Sequence, residues 1–431
     1  MRRQEVFENL RTESLGAQSI QSRVRRRQFL SGSQNFKNTI YACFTGYIVQ
    51  AIVNNFVPLL FVTFQREFSL PLSKITLLVT FNFGLQLLTD LASVKFVDRI
   101  GYRISAVLAH LLSAAGLILL TILPGLMKNS FAGILICVMI YAIGGGLLEV
   151  LISPIVEACP TDNKEAAMSL LHSFYCWGHL AVVLLSTLFF AVAGIGRWRV
   201  MALLWALVPI ANGIAFLRVP IRTLAEDSGV EDRPLKEILG LGLFWLFFVL
   251  MICSGASEQA VSQWASTFAE KGLGVPKWIG DLAGPMTFAA LMGTARAIYG
   301  KFGDRIPLVR FMIGSTALCI ASYLLIALSP DTAQGAAAGL AGVGLCGFSV
   351  GIMWPGTFSL ASASIRGGGT AMFALLALAG DVGCMSGPTL AGFVSGAFGD
   401  NLRAGILAGI LFPLLMISGL FFLHKRRKAA A

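Results

Sequence analysis

Several ionisable side chains sit inside long apolar stretches of this 431-residue chain: Asp90, Glu149, His172, His179, Glu258, Arg296 and Asp381. An ion at the centre of a bilayer costs at least about 2.5 to 3.5 kcal/mol, so each must face a partner or a water-filled space. The chemistry on offer is proton exchange on carboxyl groups, relay through imidazoles, and neutralisation of an acid or capture of an anion by the guanidinium. Glu149 lies in Gly144-Gly145-Gly146-Leu147-Leu148-Glu149-Val150-Leu151-Ile152-Ser153-Pro154, where glycines allow close backbone approach and Pro154 frees a carbonyl. Two roles suit it: a proton carrier, or a fixed hydrogen-bond acceptor for a solute or a neighbouring helix. Glu258, Asp381 and His179 are further candidates for proton coupling.

Helical spacing then groups polar residues around a shared centre. His172, Tyr175 and His179 follow at i, i+3 and i+7 on one face, either lining a cavity or holding backbone carbonyls. Asn82, Gln86 and Asp90 step along another face at i, i+4 and i+8. Gln50, Asn54 and Asn55, with Gln259 and Gln263 much later in the chain, are neutral donors and acceptors. Beside Trp264 and Trp354 they suit a neutral polyhydroxylated ligand, whose hydroxyls need both donors and acceptors and whose C–H faces stack on rings. The competing reading of each amide is a bond between helices.

These residues must be carried on membrane helices. The chain is 56% hydrophobic and 13% charged, too little polar surface for a soluble globule of its size. Apolar runs fall at about 38–64, 75–97, 102–126, 131–156, 165–193 and 198–217, then at about 240–269, 279–302, 307–329, 333–361, 367–396 and 402–423. Each is long enough to span the hydrocarbon core as a helix. The expected organisation is a basic tail over 1–36, a six-helix half over 37–217, a polar linker over 218–238, a second half over 239–424 and a basic tail over 425–431. Lys and Arg favour one set of loops by about three to one, which predicts that both termini are cytoplasmic.

The two halves echo each other in sequence. Val94-Lys95-Phe96-Val97-Asp98-Arg99-Ile100 returns about two hundred residues later as Gly300-Lys301-Phe302-Gly303-Asp304-Arg305-Ile306. Gln50, Asn54 and Pro154 return as Gln259, Gln263 and Pro355 in nearly constant register. Asp90 and Arg296 precede the two motifs by equal distances and carry opposite charge. A pair between them, or with other central residues, would form a gate.

Both copies of that motif resemble the cytoplasmic signature of the major facilitator superfamily, with Asp98 to Arg103 keeping its second half and Gly300 to Arg305 its first. The resemblance implies an all-α fold of twelve transmembrane helices in two pseudo-symmetric halves, with Asp98, Arg99, Asp304 and Arg305 latching the halves on the cytoplasmic side. Asn54-Asn55-Phe56-Val57-Pro58-Leu59-Leu60, Glu149 to Pro154, Leu170-Leu171-His172-Ser173-Phe174 and Trp354-Pro355-Gly356-Thr357-Phe358 resemble the fucose:proton symporter family within it. That resemblance implies proton-driven sugar uptake with Glu149 taking part in protonation. It departs where the family's helix-1 Asp falls at Pro58 and its helix-5 sugar residues fall near Ser169 and His172.

Other classes are disfavoured. The net charge of +11 sits at helix ends and tails, which speaks for membrane topology and against nucleic acid. The eight cysteines are scattered without a C-x-x-C pair and read as small buried hydrophobes. The sequence has no phosphate-binding G-x-x-x-x-G-K-[ST] loop, metal-ligand cluster or nucleophile–base pair, so no ATP-driven pump, cofactor, metal or enzyme is expected. The expectation is a monomeric secondary transporter of the plasma membrane that moves a small polar solute, a sugar first, coupled to protons. A proton-driven exporter of drugs or amphiphiles is the alternative, and a non-transporting sensor the remote one.

Overall fold

A computed structural model describes residues 36–160, 164–221, 235–302, 306–330, 332–365 and 369–430. Asp304 and Arg305 fall outside the described residues, as does the side chain of Asp98, and with them most of the predicted latch. Among the described residues the chain is helical without strands. Eleven helices are long and apolar enough to cross a membrane: α1 (Phe36–Glu67), α2 (Leu72–Ile100), α3 (Tyr102–Leu120), α4 (Ser130–Ala158), α5 (Lys164–Ala193), α6 (Trp198–Arg218), α7 (Gly242–Gly272), then α9 (Leu308–Ala327), α10 (Ala333–Ser364), α11 (Gly369–Ala397) and α12 (Leu402–Arg426). The twelfth, α8 over 277–302, is helical throughout but carries Lys277, Asp281 and Arg296 and is re-wound by a π segment at Leu282–Met286. The basic end of α12 continues as helix to Ala430, and the linker holds a short helix at Leu235–Gly240.

Local chemistry explains the boundaries. The α2–α3 turn is closed by Gly101 at φ +87°, a conformation that only glycine takes without strain. Arg103 then donates to the carbonyls of Phe216, Leu217 and Val219 at 2.7 to 2.9 Å, capping the open end of α6. Asn129 and Thr332 accept from backbone amides at the starts of α4 and α10.

Helices α1 and α7 break at matching places. In α1 the winding loosens at Phe56 and tightens to a 3-10 turn at Val57–Leu60 around Pro58. In α7 it loosens at Gln263 and Trp264, followed by a π turn at Phe268–Gly272. The most extensive packing in the second half joins α7 to α11, where Gly255 faces the Gly380 carbonyl, and Gly383 and Gly387 face those of Ile252 and Ala256. The halves meet along α2 with α11 and α5 with α8.

Candidate functional site

The broken segments of α1 and α7 bring the predicted amides together. Gln263 Nε2 donates to the backbone carbonyl of Asn54 at 3.1 Å and to Gln259 Oε1 at 3.0 Å. Asn54 Oδ1 accepts from Gln86 Nε2 at 2.8 Å and Asn82 Nδ2 at 3.2 Å. Asn55 Nδ2 reaches the Ala51 carbonyl and Tyr175 OH, at 2.9 and 3.4 Å. All of these amides are buried. In this conformation they bond helix to helix, and Trp264, also buried, donates to the Pro388 carbonyl at 3.0 Å and has no open face for a ligand. Trp354 is half-buried, with its ring lying over Gly380.

The carboxyl groups separate into two sets. Oxygens of Asp90 on α2, Glu149 on α4 and Asp381 on α11 all lie within 4.8 Å of one another, so the set spans both halves. Gln50 Nε2 on α1 donates to Glu149 Oε2 at 2.7 Å. Glu258 stands apart, accepting from Gln259 at 3.1 Å and facing Arg296 at 3.9 Å. Arg296 also donates through Nε to the Gly351 carbonyl at 3.1 Å, a carbonyl left free where α10 breaks, and lies 3.2 Å from Cys176 Sγ on α5. The direct Asp90–Arg296 pair suggested by the sequence symmetry is therefore not formed. Each member has found other central residues: Asp90 shares acid with acid, and Arg296 takes Glu258.

Histidines on α5 do not share one environment. His172 is exposed, with its ring 5.5 Å from that of Tyr47, while Tyr175 meets Asn55 and His179 is buried. Arg99 is exposed at the end of α2.

A second polar cluster, absent from the sequence reading, closes the side of the bundle away from the termini. Lys277 Nζ lies 3.0 Å from Asp281 Oδ2 and donates to the Leu59 carbonyl at 2.5 Å and to Ser266 Oγ at 3.3 Å. Asp281 is 1% exposed and also accepts from Ser266 at 2.5 Å and Thr187 at 3.4 Å. Nearby, Arg66 pairs with Glu270 at 3.0 Å and Thr80 meets Thr389 at 2.7 Å. These contacts tie α1, α2 and α5 to α7, α8 and α11. The only advance signal was the i, i+4 spacing of Lys277 and Asp281, hidden because Lys277 sits where a loop was expected.

Comparison with known proteins gives this arrangement its family. Similar solved structures include the E. coli fucose:proton symporter, at 16% identity over 89% of this chain and 98% of that one, with a TM-score of 0.62. A D-xylose-proton symporter is similar at 17% identity over 89% and 96%, with a TM-score of 0.67. A bacterial homologue of the human lysosomal transporter Spinster, inward-facing and occupied, is similar at 15% identity over 90% and 96%, with a TM-score of 0.68. At these identities the likeness is one of fold. No curated protein matches the chain in sequence. Residues 42–388 match the profile of the Major Facilitator Superfamily, a match that takes in both halves and every carboxyl group described above, and the chain belongs to that superfamily of transporters.

Proposed function

We propose that the protein moves a small polar solute, a sugar first, across the plasma membrane by alternating access coupled to protons. The observation that carries this reading is the set of three carboxyl groups shared between the halves. Three negative charges so close together in an apolar interior repel strongly, so protons occupy the set and their number changes when the halves part. Glu149 is the central carrier, because Gln50 of α1 donates to it and Asn54 and Asn55 follow on α1. Glu258, held by Arg296, and His179 are secondary members of the relay. With both termini cytoplasmic, the contacts around Lys277 close the outer side, and in this reading His172, Tyr175 and Trp354 meet the solute from the inner side. Gln50, Asn54, Asn55, Gln86, Gln259 and Gln263 exchange their helix-to-helix bonds for bonds to solute hydroxyls as the halves rock.

The proposed carrier is monomeric. Its test is substrate-evoked current from proteoliposomes on a solid support, across hexoses, deoxysugars and amino sugars, comparing wild type with Glu149→Gln. A current for one sugar that vanishes in the variant supports the reading. Tracer flux separates electroneutral transport from none, and silence in both assays removes the sugar.

Aromatic pairs favour a second reading. Phe358 packs on Phe373 at 5.5 Å and on Trp354 at 6.2 Å, with Phe358 and Trp354 half-buried and Phe373 exposed. Such surfaces suit an apolar or amphiphilic solute. Export of an amphiphilic dye against a proton gradient, with no response to sugars, would establish it.

A further inference from the structure

Among the described residues the carboxyl set has no cationic partner. The ion pairs of the described residues neutralise Glu67, Glu258, Glu270 and Asp281, and none reaches Asp90, Glu149 or Asp381. Two acceptors at the set also lack a donor: Asp90 Oδ1 and Gln50 Oε1. Gln50 is 4% exposed and is not one of the acids. Its nitrogen donates to Glu149 Oε2 at 2.7 Å, which fixes the carboxamide against one member of the set, and its buried oxygen has no donor. A buried acceptor without a donor is costly, so a cation or a proton donor is what the place lacks.

Ligand number narrows the choice. Oxygens bound at about 2.3 to 2.6 Å on opposite sides of one ion stand up to about 5 Å apart, whereas magnesium, at about 2.0 to 2.1 Å, needs a tighter octahedral cage. Oxygens that all lie within 4.8 Å of one another admit an ion of either radius, so the number of ligands decides, and a full octahedral cage is more than this set supplies. Calcium, of the larger radius, takes about 6 to 8 oxygens, a demanding requirement for three carboxyl groups and one carboxamide. A monovalent ion asks for less.

We propose that Asp90, Glu149, Asp381 and the Gln50 carboxamide oxygen form a binding site for a sodium ion, which occupies the set as an alternative to protons. Asp381 belongs to one half and the other ligands to the opposite half, so the ion bridges the surfaces that move. Only the name coupling ion rests on the transport reading proposed above; the site rests on the ligands.

The test is equilibrium binding of radioactive sodium to the purified full chain in nanodiscs at one fixed pH, with choline holding the ionic strength. One saturable sodium per chain is expected, displaced by lithium and not by choline. Loss of a second-shell partner already weakens ion sites about 10- to 100-fold, so Asp381→Asn and Gln50→Leu should each lose at least about tenfold in affinity. No saturable sodium binding to wild type overturns the proposal, as does unchanged affinity in both variants. Saturation by calcium with none by sodium overturns it in favour of a divalent site. If the variants aggregate, the wild-type isotherm and its lithium competition decide. Sodium binding with no solute flux of any kind keeps the site and removes the transport reading. Solute-evoked proton current in sodium-free buffer, with no sodium binding, does the reverse.

Discussion

Gln263 donates its carboxamide hydrogen to the backbone carbonyl of Asn54, 3.1 Å away, and the two are counterparts in the sequence repeat. The bond joins α1 to α7 where both helices lose regular winding, so a loosened backbone group of one half is satisfied by the other. Asn54 also gathers Asn82 and Gln86 through its side chain, which makes it the point where α1, α2 and α7 converge.

Gln263→Leu should therefore weaken closure of the side away from the termini. An unsatisfied buried acceptor costs about 1 to 3 kcal/mol, and the cost applies only while the halves are together there. Leu126 and Phe398 are exposed beyond the ends of α3 and α11 on that side and can carry spin labels. The longer component of their distance distribution should grow in the variant. An unchanged distribution would mean that the bond contributes nothing to closure.

Lys277 and Asp281 give a sharper version of the same experiment. Lys277→Met strands an almost fully buried acid, and breaking a buried pair costs about 3 to 5 kcal/mol, whereas replacing both partners by apolar groups is often near neutral. Lys277 itself is 18% exposed, so the lower end of that range applies. Lys277→Met alone should lower the melting temperature in nanodiscs, and Lys277→Met with Asp281→Leu should regain much of it. Equal loss in the single and double variants would show that the Leu59 carbonyl, not the acid, is the partner that matters.

Packing of α11 on α7 can be tested within one helix. A methyl group at Gly383 would run into the Ile252 carbonyl and the Ala256 amide, while one at Gly396 would meet nothing within 4 Å. Overpacking costs about 1 to 3 kcal/mol, whereas Gly→Ala at an open helical position gains up to about 1 kcal/mol. Gly383→Ala should melt several degrees below wild type and Gly396→Ala at or above it. Matching losses at both positions would place the effect outside the α7–α11 contact.

The helices were legible because an apolar stretch of membrane length has little choice of structure, and the repeat fixed their grouping in two sets of six. The centre was legible in part. Asp90, Glu149, Glu258, Arg296 and Asp381 stood out as charges in apolar runs, and they do lie at the interface or near it. Their partners were not legible, because pairing depends on rotation about each helix axis, which α2 and α8 take from their neighbours. Sequence symmetry suggested Asp90 with Arg296, yet Arg296 turns toward the Gly351 carbonyl, which Pro355, four residues on and without an N–H, leaves free in α10. Lys277 was hidden for a different reason: a lysine at a helix start looks like an ordinary interfacial charge until its reach to the Leu59 carbonyl of the other half is seen.

Arg296 separates charge from shape. Its Nε serves the Gly351 carbonyl, one terminal nitrogen lies against Cys176 and the other faces Glu258, so three directions are used at once. Lysine would keep the positive charge but cannot offer a planar fork. Arg296→Lys should preserve the neutralisation of Glu258 and lose the tie to the break in α10. Arg296→Gln should lose both, and adding Glu258→Gln should restore part of that loss by removing the stranded acid. The expected order of melting temperature is wild type, Arg296→Lys, the double Gln variant, then Arg296→Gln, with a coupling between the two sites of about 0.5 to 3 kcal/mol. If Arg296→Lys instead falls as low as Arg296→Gln, the Gly351 carbonyl outweighs the acid. Arg296 would then act chiefly as the brace of α10 at its break.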